Sequence, residues 1–344
     1  MAMTVRAILP ADRFARREMD ALLRREGISR DENLDYSCGL YDEEEELIAT
    51  GSCFGNTIRC LAVAGGHRGE GLLVQVVSHL LDVQARRGNL QVFLYTKPEN
   101  LAFFEGLGFS QIARTEDVAF LENRRQGFDR YCASLKRVSG EKNAAIVMNA
   151  NPFTLGHRHL IGQAAKENDV VYLFLLSENF GPIPFSVRKR LVQEGIAHLN
   201  NVVLLETGPY MISSATFPSY FLKDADTVIR SQAKLDLQVF AEIAKHLGIQ
   251  RRYVGEERTS HVTALYNQVM EERLPAMGME CVVVPRLETD GRVISASTVR
   301  RAIQEGRLES VRDMLPDSTF RYFSSPEAAD VVAAIAGEKD VIHY

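Results

Sequence analysis

The run M-N-A-N-P-F-T-L-G-H-R-H-L at 148–160 holds the residues whose types and spacing could do chemistry. It follows an apolar stretch at 144–148 that reads as a buried strand. It precedes a helical pattern that begins near His157 and continues through Ile161 and Ala165. Pro152 and Gly156 punctuate the turn between them. A helix start carries unsatisfied backbone N–H groups and the positive end of the helix dipole, so it seats an anion. Gly156 lets the backbone approach a phosphate, and His157 offers a proton-bearing nitrogen at the same place. The same letters also suit an ordinary strand-to-helix turn with a surface histidine.

A second element gives weight to the anion reading. I-S-A-S-T-V-R at 294–300 lies between an apolar strand at 281–284 and a helix over 299–303. Ser295 or Ser297 fits the helix N-cap. Arg300 falls in the first turn, where the dipole disfavours a cation unless an anion lies close. Two helix starts, one with a histidine and one with serines and an arginine, form a clamp suited to a triphosphate.

The elements that must position them divide into two halves. After a polar stretch at 138–143, strands are expected at 144–149, 170–176, 202–206, 251–255 and 281–285. Helices are expected at 157–167, 187–199, 234–247 and 261–273. Alternation of this kind predicts a parallel sheet covered on both faces, with ligands beyond the carboxyl ends of its strands. The earlier half predicts strands at 46–52 and 57–64 joined by a Gly55-Asn56 hairpin. A helix at 71–86, a strand at 90–95, a helix at 99–107 and a strand at 117–122 follow. Its turn R-G-E-G-L at 68–72 opens onto a helix and suggests a pyrophosphate cradle. The expected domains are therefore 1–138 and 144–344.

Composition narrows the classes. The 344 residues are 46% hydrophobic and 25% charged, enough for two cores. A net charge of −5 leaves no basic footprint for nucleic acid. The five cysteines are scattered without a C-x-x-C, which predicts neither disulfide framework nor zinc site and suits a reducing cytoplasm. No apolar run approaches the roughly 18 residues of a membrane span, and no signal-peptide core is expected at the N-terminus.

Taken together, the elements at 154–157 and 294–300 resemble the HxGH/TxGH nucleotidyltransferase superfamily, with Thr154 at the place of the first His. The resemblance implies a Rossmann-like parallel-sheet domain in which His157, Thr154 and Arg300 stabilise phosphoryl transfer. It implies nucleotide contacts from Asn149, Asn151, Phe153, Gly156, Gly255, Ser295, Ser297 and Thr298, and from Arg190, which matches a basic position of adenylyltransferases. The 68–72 turn and the 100–109 segment resemble the GNAT acyltransferase fold, a mixed α/β domain. There Arg68, Gly69, Gly71 and Asn100 would grip a pantetheine-type ligand. Two positions depart from that pattern: Leu73 replaces a small residue, and Phe104 stands where many members carry a catalytic Tyr. Phe cannot donate a proton.

In order along the chain, Y-T-K-P-E-N at 95–100, the 148–154 run, S-S-A-T-F-P-S-Y-F-L-K at 213–223 and A-L-Y-N-Q at 264–268 resemble the citrate lyase ligase (acetate:HS-citrate lyase ligase) family. That resemblance covers nearly the whole chain. It implies an α/β cytoplasmic enzyme that joins ATP, with Mg²⁺, and acetate to the prosthetic-group thiol of the citrate lyase acyl carrier (gamma) subunit, releasing AMP and diphosphate. It implies no nucleic-acid or membrane partner and no metal held by the protein itself. The 213–223 segment would shape the acetate pocket, with Lys223 facing a phosphate, or form a packed surface loop. Glu178 and Glu256 are candidate bases for the thiol, though each reads rather as an inert loop acid, while His159 reads as structural and His261, which could reach nucleotide, as a surface histidine of a capping region. Two other arrangements stay open on the residues alone: a coenzyme-type adenylyltransferase fused to a GNAT N-acetyltransferase, and a nucleotide sensor without turnover.

Overall fold

The structure, a computed structural model, describes residues 4–31, 33–178, 181–212, 217, 224–257 and 260–338. Apart from Phe217, the 213–223 segment with Lys223 lies outside the described residues. The chain separates into two compact units, residues 1–130 with 215–238, and 131–214 with 239–344. Residues 224–238, which follow the expected junction at 138–143 in sequence, group with the first unit.

The first unit contains β1 (Val5–Ala7), α1 (Arg13–Arg25), β2 (Tyr36–Tyr41), β3 (Leu47–Phe54), β4 (Thr57–Val63), α2 (Leu72–Arg86), β5 (Phe93–Thr96), α3 (Leu101–Gly106), β6 (Ser110–Arg114) and β7 (Ala119–Glu122). Its sheet runs β1-β2-β3-β4-β5-β7-β6. All neighbours are antiparallel except β4 and β5. Those two pair in parallel only at Thr57 with Phe93 and Ile58 with Leu94. Beyond that point β4 turns away at an irregularity opposite Thr50 and Ser52, where Cys60 takes a left-handed φ of 52°. The gap opened by this splay is the first unit's cleft. Helix α2 lies close on β3, since a Cβ at Gly51 would stand 2.6 Å from Val76 Cγ1. The expected hairpin is present, with β3 ending at Phe54 and β4 starting at Thr57.

The second unit follows α4 (Gly127–Ser134). It contains β8 (Asn143–Met148), α5 (Leu155–Glu167), β9 (Val170–Leu175), α6 (Phe185–Gly195), β10 (Val202–Glu206), the later part of α7 (Ala225–Leu247), β11 (Arg251–Gly255), α8 (His261–Arg273), β12 (Glu280–Val284), a short hairpin of β13 (Glu288–Thr289) and β14 (Arg292–Val293), α9 (Ala296–Gln304), α10 (Asp317–Phe323) and α11 (Ala329–Gly337). All five strands of the main sheet are parallel, in the order β10-β9-β8-β11-β12. β9 is buried at every position, as a strand covered on both faces must be. One face packs Ile146, Leu173 and Leu175 against Ile161, Leu191 and Val299. On β9, Phe174 meets Phe240 of α7 edge-on, with ring centroids 6.5 Å apart. Helix α7 starts at Ala225, nine residues before the expected start, and α6 covers Phe185–Gly195 rather than 187–199.

From β8 the chain steps outward to β9 and β10, then returns to add β11 and β12 on the other side. The reversal leaves a crevice at the carboxyl ends of β8 and β11, the usual ligand seat of such sheets.

Candidate active site

At the carboxyl end of β8 the turn enters α5 with Thr154 as its N-cap. Thr154 Oγ1 accepts the His157 backbone N–H at 3.3 Å. His157 closes the ring in return: its Nδ1 accepts the Thr154 backbone N–H at 3.1 Å and lies 2.9 Å from the Thr154 hydroxyl. A histidine here takes the part that Glu or Gln plays in an ordinary capping box. An Nδ1 that accepts a backbone N–H carries no proton, so the neutral ring is protonated at Nε2. Burial, with a smaller contribution from the Arg286 charge, pushes His157 down to about 4. At pH 7 the ring is a neutral donor. Phe153, fully buried, stacks on it at 5.9 Å and 15°.

His157 lines a cavity of about 280 Å³ at the crevice. The start of α5 contributes Thr154 and Gly156, the end of β11 contributes Gly255, Glu256 and Glu257, and the end of β12 contributes Arg286. Ser295, Ser297 and Arg300 come from the start of α9. Ser295 is the α9 N-cap and accepts the Thr298 N–H at 3.1 Å. Both expected helix starts therefore reach one cavity. Gly156 has an ordinary backbone. A Cβ there would lie 3.3 Å from the Ile294 carbonyl oxygen, so the missing side chain lets α5 approach the strand entering α9. Gly255 faces open space, with nothing within 4 Å of a Cβ.

Asn149, Asn151, Phe153, Thr298 and Arg190 do not line the cavity. Arg300 is both lining and tether: it is 2% exposed and donates to the Asn151 carbonyl. The Asn149 carbonyl accepts from Arg188 Nη1 at 2.8 Å. Asn151 is buried, and its side-chain amide makes no hydrogen bond among the described residues. Phe153 belongs to the core, and Thr298 is exposed on α9. Arg190 is on the surface, paired with Glu327 at 2.7 Å and lying over the Tyr322 ring, away from the cavity. Its neighbour Arg188 is the buried one. It donates to the carbonyls of Asn149, Leu176, Ile183 and Glu178, at the carboxyl ends of β8 and β9 and the entry to α6. Two positions on a helix separate the two arginines by more than half a turn, and the core takes the first.

Of the remaining candidates, Glu256 and His159 line the cavity. Glu178 does not, although its carbonyl accepts from Arg188. The charged cavity residues that the sequence did not single out are Glu257 and Arg286. Arg286 Nε donates to the Glu256 carbonyl at 2.6 Å, and its Nη2 pairs with Glu257.

The first unit has its own cleft of about 740 Å³ between the splayed β4 and β5. Arg68, Gly69, Gly71 and Asn100 all line it. Gly69 and Gly71 take φ of 89° and 74°, conformations that favour glycine. Arg68 is 70% exposed and paired with Glu26. The Asn100 amide donates to Thr96 Oγ1 at 3.3 Å. Phe104 packs edge-on against Phe103 and Phe109, so hydrocarbon occupies the position expected of an acid.

The citrate lyase ligase C-terminal domain family matches residues 143–323. A citrate (pro-3S)-lyase ligase of Klebsiella pneumoniae is 37% identical over 92% of this chain and 95% of its own length. One from Haemophilus influenzae is 35% identical over 88% and 93%, and one from Escherichia coli K12 is 38% identical over 82% and 83%. Among solved structures, a GNAT family N-acetyltransferase of Escherichia coli in complex with CoA aligns with 36% of this chain and 83% of its own, at 20% identity and a TM-score of 0.28. A GNAT family acetyltransferase of Staphylococcus aureus Mu50 aligns with 35% and 98%, at 13% identity and a TM-score of 0.31. The match over more than half the residues, together with relatives aligned along most of their length, means that the chain belongs to the citrate lyase ligase family.

Proposed function

We propose that the protein activates acetate with ATP as acetyl-AMP and passes the acetyl group to the prosthetic-group thiol of the citrate lyase acyl carrier (gamma) subunit. The observation that carries this is the meeting of two helix starts with a neutral, Nε2-protonated His157 in one cavity. In the first step an acetate oxygen attacks the α-phosphorus and diphosphate leaves with the P–O electron pair. A carboxylate is already a nucleophile, so the site need only position and stabilise. His157 Nε2–H donates to the α-phosphoryl oxygens as charge builds on them. The N–H groups at the start of α9, with Ser295 and Ser297, hold the β- and γ-phosphates. Arg300 supports the turn before α5 through Asn151. In the second step the carrier thiolate attacks the acetyl carbon and AMP leaves.

Among the described residues no group of three or more His, Cys, Asp or Glu could hold a metal ion. Mg²⁺ would enter on the nucleotide phosphates. The first unit's cleft would hold the pantetheine-type arm of the carrier, its glycine turn against the pyrophosphate and Arg68 beside it. With Phe104 in place of an acid, position 104 donates no proton to that cleft. No helix of the described residues is long and apolar enough to cross a membrane, and the five cysteines are free.

The test is ATP–diphosphate exchange by the purified protein without carrier. Exchange that requires acetate supports the acetyl-AMP step. Exchange driven by a pantetheine phosphate and indifferent to acetate would replace this reading with a coenzyme-type adenylyltransferase.

A further inference from the structure

We propose that Arg286 is a further phosphate-binding residue of the adenylating cavity, held by Glu256 and Glu257 so that its remaining guanidinium edge meets the nucleotide. The inference rests on the adenylation reading. Arg286 stands two residues past the end of β12. Its Nε is committed to the Glu256 carbonyl at 2.6 Å and its Nη2 to the Glu257 carboxylate. Glu257 is itself fixed, its side chain 6% exposed and accepting the Ser260 N–H at 2.9 Å. Among the described residues, Nη1 makes no hydrogen bond. The planar fork is therefore oriented in advance, with one edge spent on the protein and another left.

The comparison with Arg300 favours this assignment. Arg300 is 2% exposed and tethers the Asn151 carbonyl, whereas the Arg286 side chain is 22% exposed on the wall of the same cavity. Of the two arginines that line the cavity among the described residues, Arg286 is thus the accessible one. Its neighbours point to phosphate as the ligand, because both helix starts and His157 open into the same cavity. Arg286 is also close enough for its charge to lower the His157 pKa.

The test combines equilibrium dialysis of labelled ATP with Mg²⁺, steady-state exchange and a thermal melt for wild type, Arg286→Gln and Arg286→Lys. Loss of a charge-assisted phosphate contact should weaken ATP binding about tenfold or more in Arg286→Gln. Arg286→Lys should restore part of it, since charge survives without the fork. The KM for acetate should stay unchanged. A purely structural role would leave the pH profile alone. Here the acidic limb of exchange should move to higher pH in Arg286→Gln, because His157 then faces Glu256 and Glu257 after β11, His159 on α5 and Arg300 on α9 without the opposing Arg286 charge. Unchanged ATP affinity in a folded Arg286→Gln protein would overturn the proposal, as would a rise confined to the KM for acetate. Should Arg286→Gln fail to fold, Glu257→Gln releases the clamp while keeping the guanidinium. A several-fold loss of ATP affinity then supports the proposal and no loss overturns it. Wild-type protein that binds no ATP would sink the adenylation reading itself.

Discussion

A histidine at a helix start can meet a phosphate as a cation or as a neutral donor, and the Thr154 backbone N–H decides between them at His157. Because Nδ1 accepts that N–H, protonating the ring would cost the hydrogen bond and place a charge in a buried site. His157→Gln should lower acetate-dependent exchange by about 10²–10³-fold, as expected for the loss of one donor to a developing oxyanion, with ATP affinity little changed. An undiminished exchange rate would remove His157 from the mechanism. The same burial links the ring to stability. Its pKa lies near 4 when folded against an ordinary 6.5, so the unfolded chain binds the proton more readily. Stability from this group is complete above about pH 6.5 and is lost as the pH falls toward 4. Thermal melts across that window should show a steeper decline for wild type than for His157→Gln; parallel curves would mean the ring titrates normally. The Thr154–His157 pair was legible because both partners lie three residues apart in one turn. Arg286 was not, since a lone cation after a strand has no partner at a fixed spacing; Glu257 lies 29 residues earlier.

At the scale of elements, α6 shows why a helix matters to a site it does not line. Arg188 satisfies carbonyls from three separate segments, and burial lowers it to about 10, still a cation at pH 7. Arg188→Met should destabilise the second unit by about 3 kcal/mol or more, because several buried carbonyls lose their donor at once. Arg190→Ala removes an exposed pair and should cost about 0–1 kcal/mol, with exchange preserved. Urea melts of the two variants, read with the exchange assay, separate these roles; equal effects would refute the division. At the end of the same helix, a Cβ on Gly195 would stand 2.3 Å from the Phe153 ring, which in turn stacks on His157. Gly195→Ala should therefore cost about 1–3 kcal/mol and also reduce exchange, although position 195 does not line the cavity. The helix itself is readable from its apolar spacing, and so is which strands are buried. Which of two nearby arginines turns inward follows from helical phase: Arg188 shares its face with the buried Leu191, Val192 and Gly195, whereas Arg190 was singled out by its match to a family position. Helix α1 buries Ala15, Met19, Leu22 and Leu23 at helical spacing, a pattern present in the letters but left unassigned over 1–45.

At the scale of the molecule, each cleft is built from one unit alone: 26–104 for the first, 147–300 for the second. The alternation of elements foretold the parallel sheet, yet not the grouping of 224–238 with the first unit, because long-range packing leaves no local periodic sign. Nor did it foretell the β5-β7-β6 order, which depends on which edge the last hairpin joins. If the first cleft holds the carrier's arm and the second makes the adenylate, damage to one should separate the two half-reactions. Gly71 caps α2 with φ 74°, so Gly71→Val forces a branched side chain into a left-handed conformation at a cost of about 1–2 kcal/mol. The glycine turn should then hold the pyrophosphate less well. Acetylation of the carrier should show a KM raised about fivefold or more, while acetate-dependent exchange measured without carrier stays at the wild-type rate. Arg68→Ala should act in the same direction. His157→Gln, by contrast, should lose both activities, since no adenylate reaches the thiol. Loss of exchange in a folded Gly71→Val protein would mean that adenylation needs the first unit's glycine turn, and the two clefts would have to be read as one site.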